Sequence, residues 1–230
     1  MSYPTNMLYA AALAAMGRLY GEPALATQAA KIREVIRRQS FDGEFFVDHA
    51  LRRDGQLQIT RNRSEVCQYY AFYFDVATPS SHPQLWSRLV TEFGPPRAQT
   101  KAWPEVWPAN AFVGNLLRFE LLARTGRRQQ ILDEAVDYWH AQVERTGTLW
   151  ENDRPSASCN HGFAAHAAHV LLRDVLGLRT VDLSARRLTL GFSALKLDSC
   201  RGRIPTPDGF IELAWTRKDG RIDYRLRTPT

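Results

Sequence analysis

Residues 64–76, SEVCQYYAFYFDV, and residues 83–93, PQLWSRLVTEF, decide the fold class between them. The first is apolar on nearly every side after its opening turn, and a helix of that kind belongs inside a protein. The second places Leu85, Trp86, Leu89, Val90 and Phe93 at helical spacing with polar residues opposite, the pattern of a one-sided surface helix. The same pairing recurs in both directions. Asn6 to Tyr20 is apolar nearly all round (Met7, Leu8, Ala11, Ala12, Leu13, Ala15, Met16, Leu19), and Gly21 ends it. Pro23 then opens an amphipathic helix to about Gln39, through Leu25, Ala29, Ile32, Val35 and Ile36. Toward the C-terminus, Ala109 to Thr125 is apolar, Arg128 to Glu144 is amphipathic, and Asn160 to Leu176 is apolar again. An order of inner, outer, inner, outer, inner, outer, inner suits two concentric layers better than a linear bundle. The expected fold is mainly α: a partial α/α toroid of about seven helices.

From Leu178 the hydrophobic period changes to two. Arg187 to Phe192, Arg201 to Pro205, Phe210 to Arg217 and Arg221 to Arg227 read as short strands of a small antiparallel sheet. This divides the chain softly into a helical region, residues 1–178, and a β region, residues 179–230. Between the second and third helices, Glu44 to Thr60 carries an Asp54-Gly55 hairpin signal.

Composition narrows the function classes. A chain of 230 residues with 44% hydrophobic and 23% charged residues can bury a core of its own. Three cysteines, Cys67, Cys159 and Cys200, are too few and too odd for a disulfide framework and point to a reducing, cytoplasmic compartment, with the thiols structural. No apolar run approaches the roughly 20 residues of a membrane span, so no membrane partner is expected. The net charge of +6 rests on arginines scattered along the chain, and the β region shows no aromatic-and-basic stripe, so no nucleic-acid partner is expected either. Phosphate loops and dinucleotide fingerprints are missing from the sequence, and no cofactor is expected. His161, His166 and His169 lack zinc spacing on one helix face, so no metal is expected; His166 and His169 read as packed core histidines.

Polar residues gather where the inner helices begin: Thr5-Asn6, Ser64-Glu65, Asn110, and Ser158-Cys159-Asn160-His161. Each is also a natural N-cap. Two segments pair tryptophan with a carboxylate, Trp150-Glu151 and Trp103-Pro104-Glu105-Val106-Trp107. An aromatic face packs on the C–H face of a sugar, and glycoside hydrolysis needs two carboxyl groups across the scissile bond. Glu151, Glu105, Glu65, Asp48 and Asp153 are the carboxylates on offer. Solvated or ion-paired structural roles compete for each of them.

TLWENDRPSASCNHGFAAHAAHVLLRDVLGL, residues 148–178, resembles the late catalytic-domain segment of bacterial α-L-rhamnosidases, glycoside hydrolase family 78 and its six-hairpin relatives. SEVCQYYAFYF and GEFFVDHALR are similar to six-hairpin sequences as well, and CRGRIPTPDGFIELAW resembles the short β tail that follows the barrel. The resemblance implies an inverting hydrolase releasing terminal α-L-rhamnose. It makes Glu151 the general base that activates water, and puts Trp150 and His161 in the sugar subsite. Asn160, Glu65, Asp48, Trp103, Trp107 and Asn110 complete the expected binding set. The family's carboxylate-rich general-acid motif has no counterpart here, so the chain resembles the C-terminal half of such a domain. An alternative is a non-catalytic helical module that binds carbohydrate or associates with another subunit. A half-toroid would leave apolar flanks open, which predicts a homodimer, or association with a missing N-terminal half, through the Met7 to Leu19 region.

Overall fold

The computed structural model describes residues 1–109, 112–152, 154 and 156–229, with Phe112 as backbone only. The described residues of Met1–Leu121 and Asn152–Arg154 form one compact unit, and those of Leu122–Glu151 and Pro155–Thr230 a second.

The first unit opens with α1 (Tyr3–Tyr20) and α2 (Pro23–Ser40). Ser2 caps α1 by accepting from the Thr5 amide, and Gly21 ends it in the left-handed conformation. The two helices pack through Ala10, Leu13, Ala14 and Ala29, with Leu25 and Ile32 at the margin. Small residues on both sides let the helices lie close. Strands β1 (Ala50–Arg53) and β2 (Gln56–Ile59) form the hairpin anticipated at Asp54-Gly55. Both turn residues have positive φ, 48° and 78°, the conformation that a two-residue primed turn requires. Then come β3 (Arg63–Ser64), α3 (Glu65–Tyr73), α4 (Pro83–Thr91), the single turn α5 (Arg97–Thr100) and β4 (Val106–Trp107), which runs parallel to β3. The helix α6 (Phe112–Arg124) follows. Arg33 and Arg37 of α2 donate to the carbonyls of Phe74 and Val76, satisfying acceptors left open past the end of α3.

The second unit contains α7 (Arg128–Ala135), a π-helical turn at Val136–His140, and α8 (Ala141–Thr146). After the loop of residues 147–161, a 3₁₀ turn at Gly162–Ala165 leads through α9 (His166–Val170) to a second π turn at Leu171–Leu176. Strands β5 (Leu178–Asp182) and β6 (Arg187–Leu190) pair antiparallel. The antiparallel sheet β7 (Ser199–Thr206), β8 (Gly209–Lys218), β9 (Arg221–Arg227) closes the chain. Leu176, Leu178, Ile211, Leu213 and Trp215 make its core. A Cβ on Gly202 would sit 2.8 Å from a Leu176 methyl, so a larger residue there would push the Leu176 side chain aside. Asp174, almost fully buried, is held by Arg128, Arg173 and Arg179 at 3.2, 2.8 and 2.8 Å.

The fold is therefore helix-rich with small sheets, nearly all antiparallel. Two of the four helices read as fully internal behave so: α3, and α6 from Val113 to Ala123, expose no residue. The first and last depart from that expectation. Leu8, Ala12, Ala15, Met16 and Leu19 of α1 are exposed, Leu19 at 76%, along one continuous stripe. Phe163 and His169 likewise face outward, so His169 is not a packed core histidine. Apolar residues on every side of a helix specify what it can bury, not what covers it. Among the described residues no helix is long and apolar enough to cross a membrane.

Candidate functional site

The sequence-derived site residues fall into both compact units. In the first, the start of α3 collects them. Ser64 caps the helix by accepting from the Cys67 amide at 3.1 Å. The Asp48 carboxylate accepts in turn from the Ser64 amide at 3.1 Å and its hydroxyl at 2.7 Å. Burial pushes the Asp48 carboxyl above the usual aspartate range, and the Ser64 hydrogen bonds pull against that shift.

Glu65 is 1% exposed, and both of its oxygens are engaged. Oε1 accepts from the Gly94 amide at 2.8 Å and from the Tyr69 hydroxyl. Oε2 accepts from Arg97 at 2.9 Å and the Ala109 amide at 3.1 Å. Arg97 also donates to the carbonyls of Ala102, Trp103 and Val106. This buried pair closes the loop of residues 94–109 onto α3.

Trp103 has positive φ, and its indole N–H donates to Glu92 at 2.7 Å beneath the Arg88 guanidinium. Trp107 is different: β4 carries it beside Ser64, and its indole is 69% exposed. An uncovered tryptophan one residue from Glu65 is a surface on which a sugar ring can pack. Glu105 is exposed and lies 3.9 Å from Arg63, which also pairs with Asp42 and Glu44. Arg63 organises these carboxylates. Nothing in its local spacing marked it. Asn110 and Asp153 lie outside the described residues.

In the second unit, residues 148–151 run back along residues 158–161. The Glu151 amide donates to the Ser158 carbonyl and the His161 amide to the Leu149 carbonyl, both at 2.9 Å. Thr148 adds a side-chain bond to the Cys159 carbonyl. Trp150 anchors this closed loop. It is 6% exposed, its amide donates to Gln142 at 2.9 Å, and its indole N–H donates to Thr146 at 2.8 Å. The structure thus turns its ring into the unit, where it fixes the backbone of the next residue.

That next residue is Glu151. Its side chain is partly exposed, and its carboxylate makes no hydrogen bond or ion pair among the described residues. A held backbone with an open carboxylate is what proton abstraction from water needs. Asn160 is exposed, His161 is partly exposed, and the His161 ring stands 5.6 Å from that of Phe163. Phe163, 75% exposed, stands beside His161. The sequence reading passed over it because it sits inside an apolar run rather than next to a carboxylate. Among the described residues, no three His, Cys, Asp or Glu side chains gather as a metal site would require.

No protein-family profile and no curated protein matches the sequence. Among solved structures, a GH78 family rhamnosidase of Bacillus sp. GL1 superposes with a TM-score of 0.78 at 19% identity. The match covers 98% of this chain and 25% of that one, so the chain spans about a quarter of the rhamnosidase's length. The chain has the fold of part of a glycoside hydrolase.

Proposed function

We propose that the chain is a glycosidase module of the α-L-rhamnosidase type, a segment of an α/α toroid with its β tail, in which Glu151 is the general base. The observation that carries this reading is the fold likeness over nearly the whole chain. The open Glu151 carboxylate on a loop anchored by Trp150 supports it, as do the exposed rings of Phe163 and Trp107. In an inverting reaction the base removes a proton from water as the water attacks the anomeric carbon, and an acid protonates the departing oxygen. The sequence resemblance places that acid in a motif these residues lack. A leaving group that departs as a stable anion removes the need for it.

The test is hydrolysis of dinitrophenyl α-L-rhamnoside by the purified chain, alongside calorimetric binding of L-rhamnose. Turnover that falls by about two to four decades in Glu151→Gln supports the assignment. Absence of both turnover and rhamnose binding overturns it.

A second reading, an association module, is favoured by one observation: the exposed Leu8, Ala12, Ala15, Met16 and Leu19 stripe of α1. Light scattering on the native chain and on a Met16→Glu/Leu19→Glu variant tests it. A dimer dissociated by the substitutions supports association; a wild-type monomer at tens of micromolar removes it.

A further inference from the structure

Arginines that are scattered in sequence converge in the sheet of the second unit. The register sets Arg201 of β7 opposite Ala214 of β8, and Ala214 opposite Arg225 of β9. One pleat along, Arg203 stands opposite Glu212, and Glu212 opposite Arg227. Side chains alternate across a strand, so these six residues share one face. The other face carries the buried Ile211, Leu213 and Trp215. Together the six border an open groove of about 450 Å³. Its floor is the Ala214 methyl. Its walls are the arginines of β7 and β9, whose backbones lie about 10 Å apart because two strand spacings separate them.

The arginines on this face outnumber its carboxylates, Glu212 and Asp223. Glu212 is the one carboxylate bordering the groove, and it lies 3.7 Å from Arg227. Arg203 rests over the Phe210 ring at 4.7 Å. Arg201 and Arg225 have no hydrogen-bond or ion-pair partner among the described residues. Arg201 and Arg203 on β7, and Arg225 and Arg227 on β9, are like charges two residues apart on one face, and they repel. Four exposed arginines around one alanine are therefore a weak arrangement for stability and a strong one for holding anions.

We propose that this groove binds an extended, carboxylate-bearing polysaccharide, a uronate-containing glycan lying along β8 between the arginine rows. The planar guanidinium fork matches a carboxylate in two parallel hydrogen bonds, which a lysine ammonium cannot do. Rows on both sides suit a polymer that presents acids alternately to left and right. A single-stranded nucleic acid fits less well, because its bases need aromatic platforms. This floor offers a methyl group, and Arg203 already stacks over one side of the nearby Phe210 ring. The choice of a saccharide among polyanions rests on the glycosidase reading above.

The experiment is calorimetric titration of the full chain with oligogalacturonate, in low salt and at about 150 mM, where exposed charges are screened beyond about 8 Å. Neutral dextran and oligo-thymidylate serve as comparison ligands. Arg201→Gln/Arg225→Gln should weaken oligogalacturonate by about tenfold or more, since each arginine makes charge-assisted bonds. Arg201→Lys/Arg225→Lys keeps the charge, loses the fork, and should fall between. Arg52→Gln/Arg53→Gln on the β1 hairpin removes equal charge elsewhere and should change affinity less than about twofold. All these side chains are exposed, so none of the substitutions should lower the thermal midpoint, and that is checked first. Oligogalacturonate binding no tighter than dextran overturns the proposal. So does equal weakening by both glutamine pairs, or tighter binding of oligo-thymidylate. Glu151→Gln should leave this affinity intact. In the unsubstituted chain, absence of rhamnoside turnover and of rhamnose binding with uronate binding retained would sink only the glycosidase assignment, and the reverse result only this one.

Discussion

The indole nitrogen of Trp215 donates a 2.9 Å hydrogen bond to the carbonyl oxygen of Leu176, joining the middle of β8 to the last residue of the helix that precedes the sheets. Both residues are buried, at 3% and 2% exposure, so no water can replace either partner. Trp215→Phe retains most of the apolar contact but strands that carbonyl. The expected loss is about 1–3 kcal/mol, the desolvation penalty of an unpaired buried acceptor. Urea unfolding monitored by circular dichroism measures it, and an unchanged midpoint would show the bond to be dispensable.

The Glu65–Arg97 pair makes a harder demand. Glu65→Gln should destabilise the chain by about 3–5 kcal/mol, because Arg97 is left charged and buried. Combining it with Arg97→Met should recover much of that loss by removing the orphaned charge. A double variant no better than the single would mean that the contacts of Arg97 with the backbone, rather than with Glu65, hold the loop.

Asp48 gives a pH signature. Burial raises its carboxyl in the folded state, so the folded protein holds that proton more tightly than the unfolded chain. Stability should therefore decline as pH rises from the ordinary value of 3.8 through the raised one, then level off. Asp48→Asn keeps an oxygen for the two Ser64 donors and has no charge to bury. Its stability relative to wild type should climb across the same window. Parallel unfolding curves at every pH would contradict the shift.

Cys67 should resist thiol reagents. It is fully buried in α3, and burial with the nearby Asp48 pushes its thiol well above the ordinary cysteine range. Cys159 and Cys200 are partly exposed. Disulfide-reagent titration should show two faster thiols and one that reacts only on unfolding, and Cys67→Ala should abolish the slow phase. Three fast thiols in the native state would mean that α3 opens readily.

A great deal of this was legible from periodicity. The helices after Pro23 and Pro83 start at those prolines, and β9 spans Arg221–Arg227 as the alternation indicated. What escaped were features that depend on pairing rather than pattern. The two-residue parallel pair β3–β4 has no period to detect, yet it brings Trp107 to Ser64. Arg201 and Arg227 are distant in sequence, and only the strand register shows that they share a face. Trp150 illustrates the same gap at the site. A tryptophan preceding a carboxylate reads as a sugar platform, but only tertiary geometry shows its indole bonded to Thr146 inside the unit. Phe163 is the converse, an apolar residue in an apolar run whose side chain is 75% exposed.

The π turn at Val136–His140 carries one residue more than a continuous α-helix would use for the same rise. Each residue turns a helix by about 100°. Removing one residue there would swing Gln142 away from the Trp150 amide that it now meets at 2.9 Å. For anyone comparing this chain with distant relatives, the extra residue is an insertion to be allowed for. An alignment that runs ungapped through the helix past a homologue without it would be correct on one side and out by one on the other. The residues that fix the Glu151 loop would then be compared with the wrong partners.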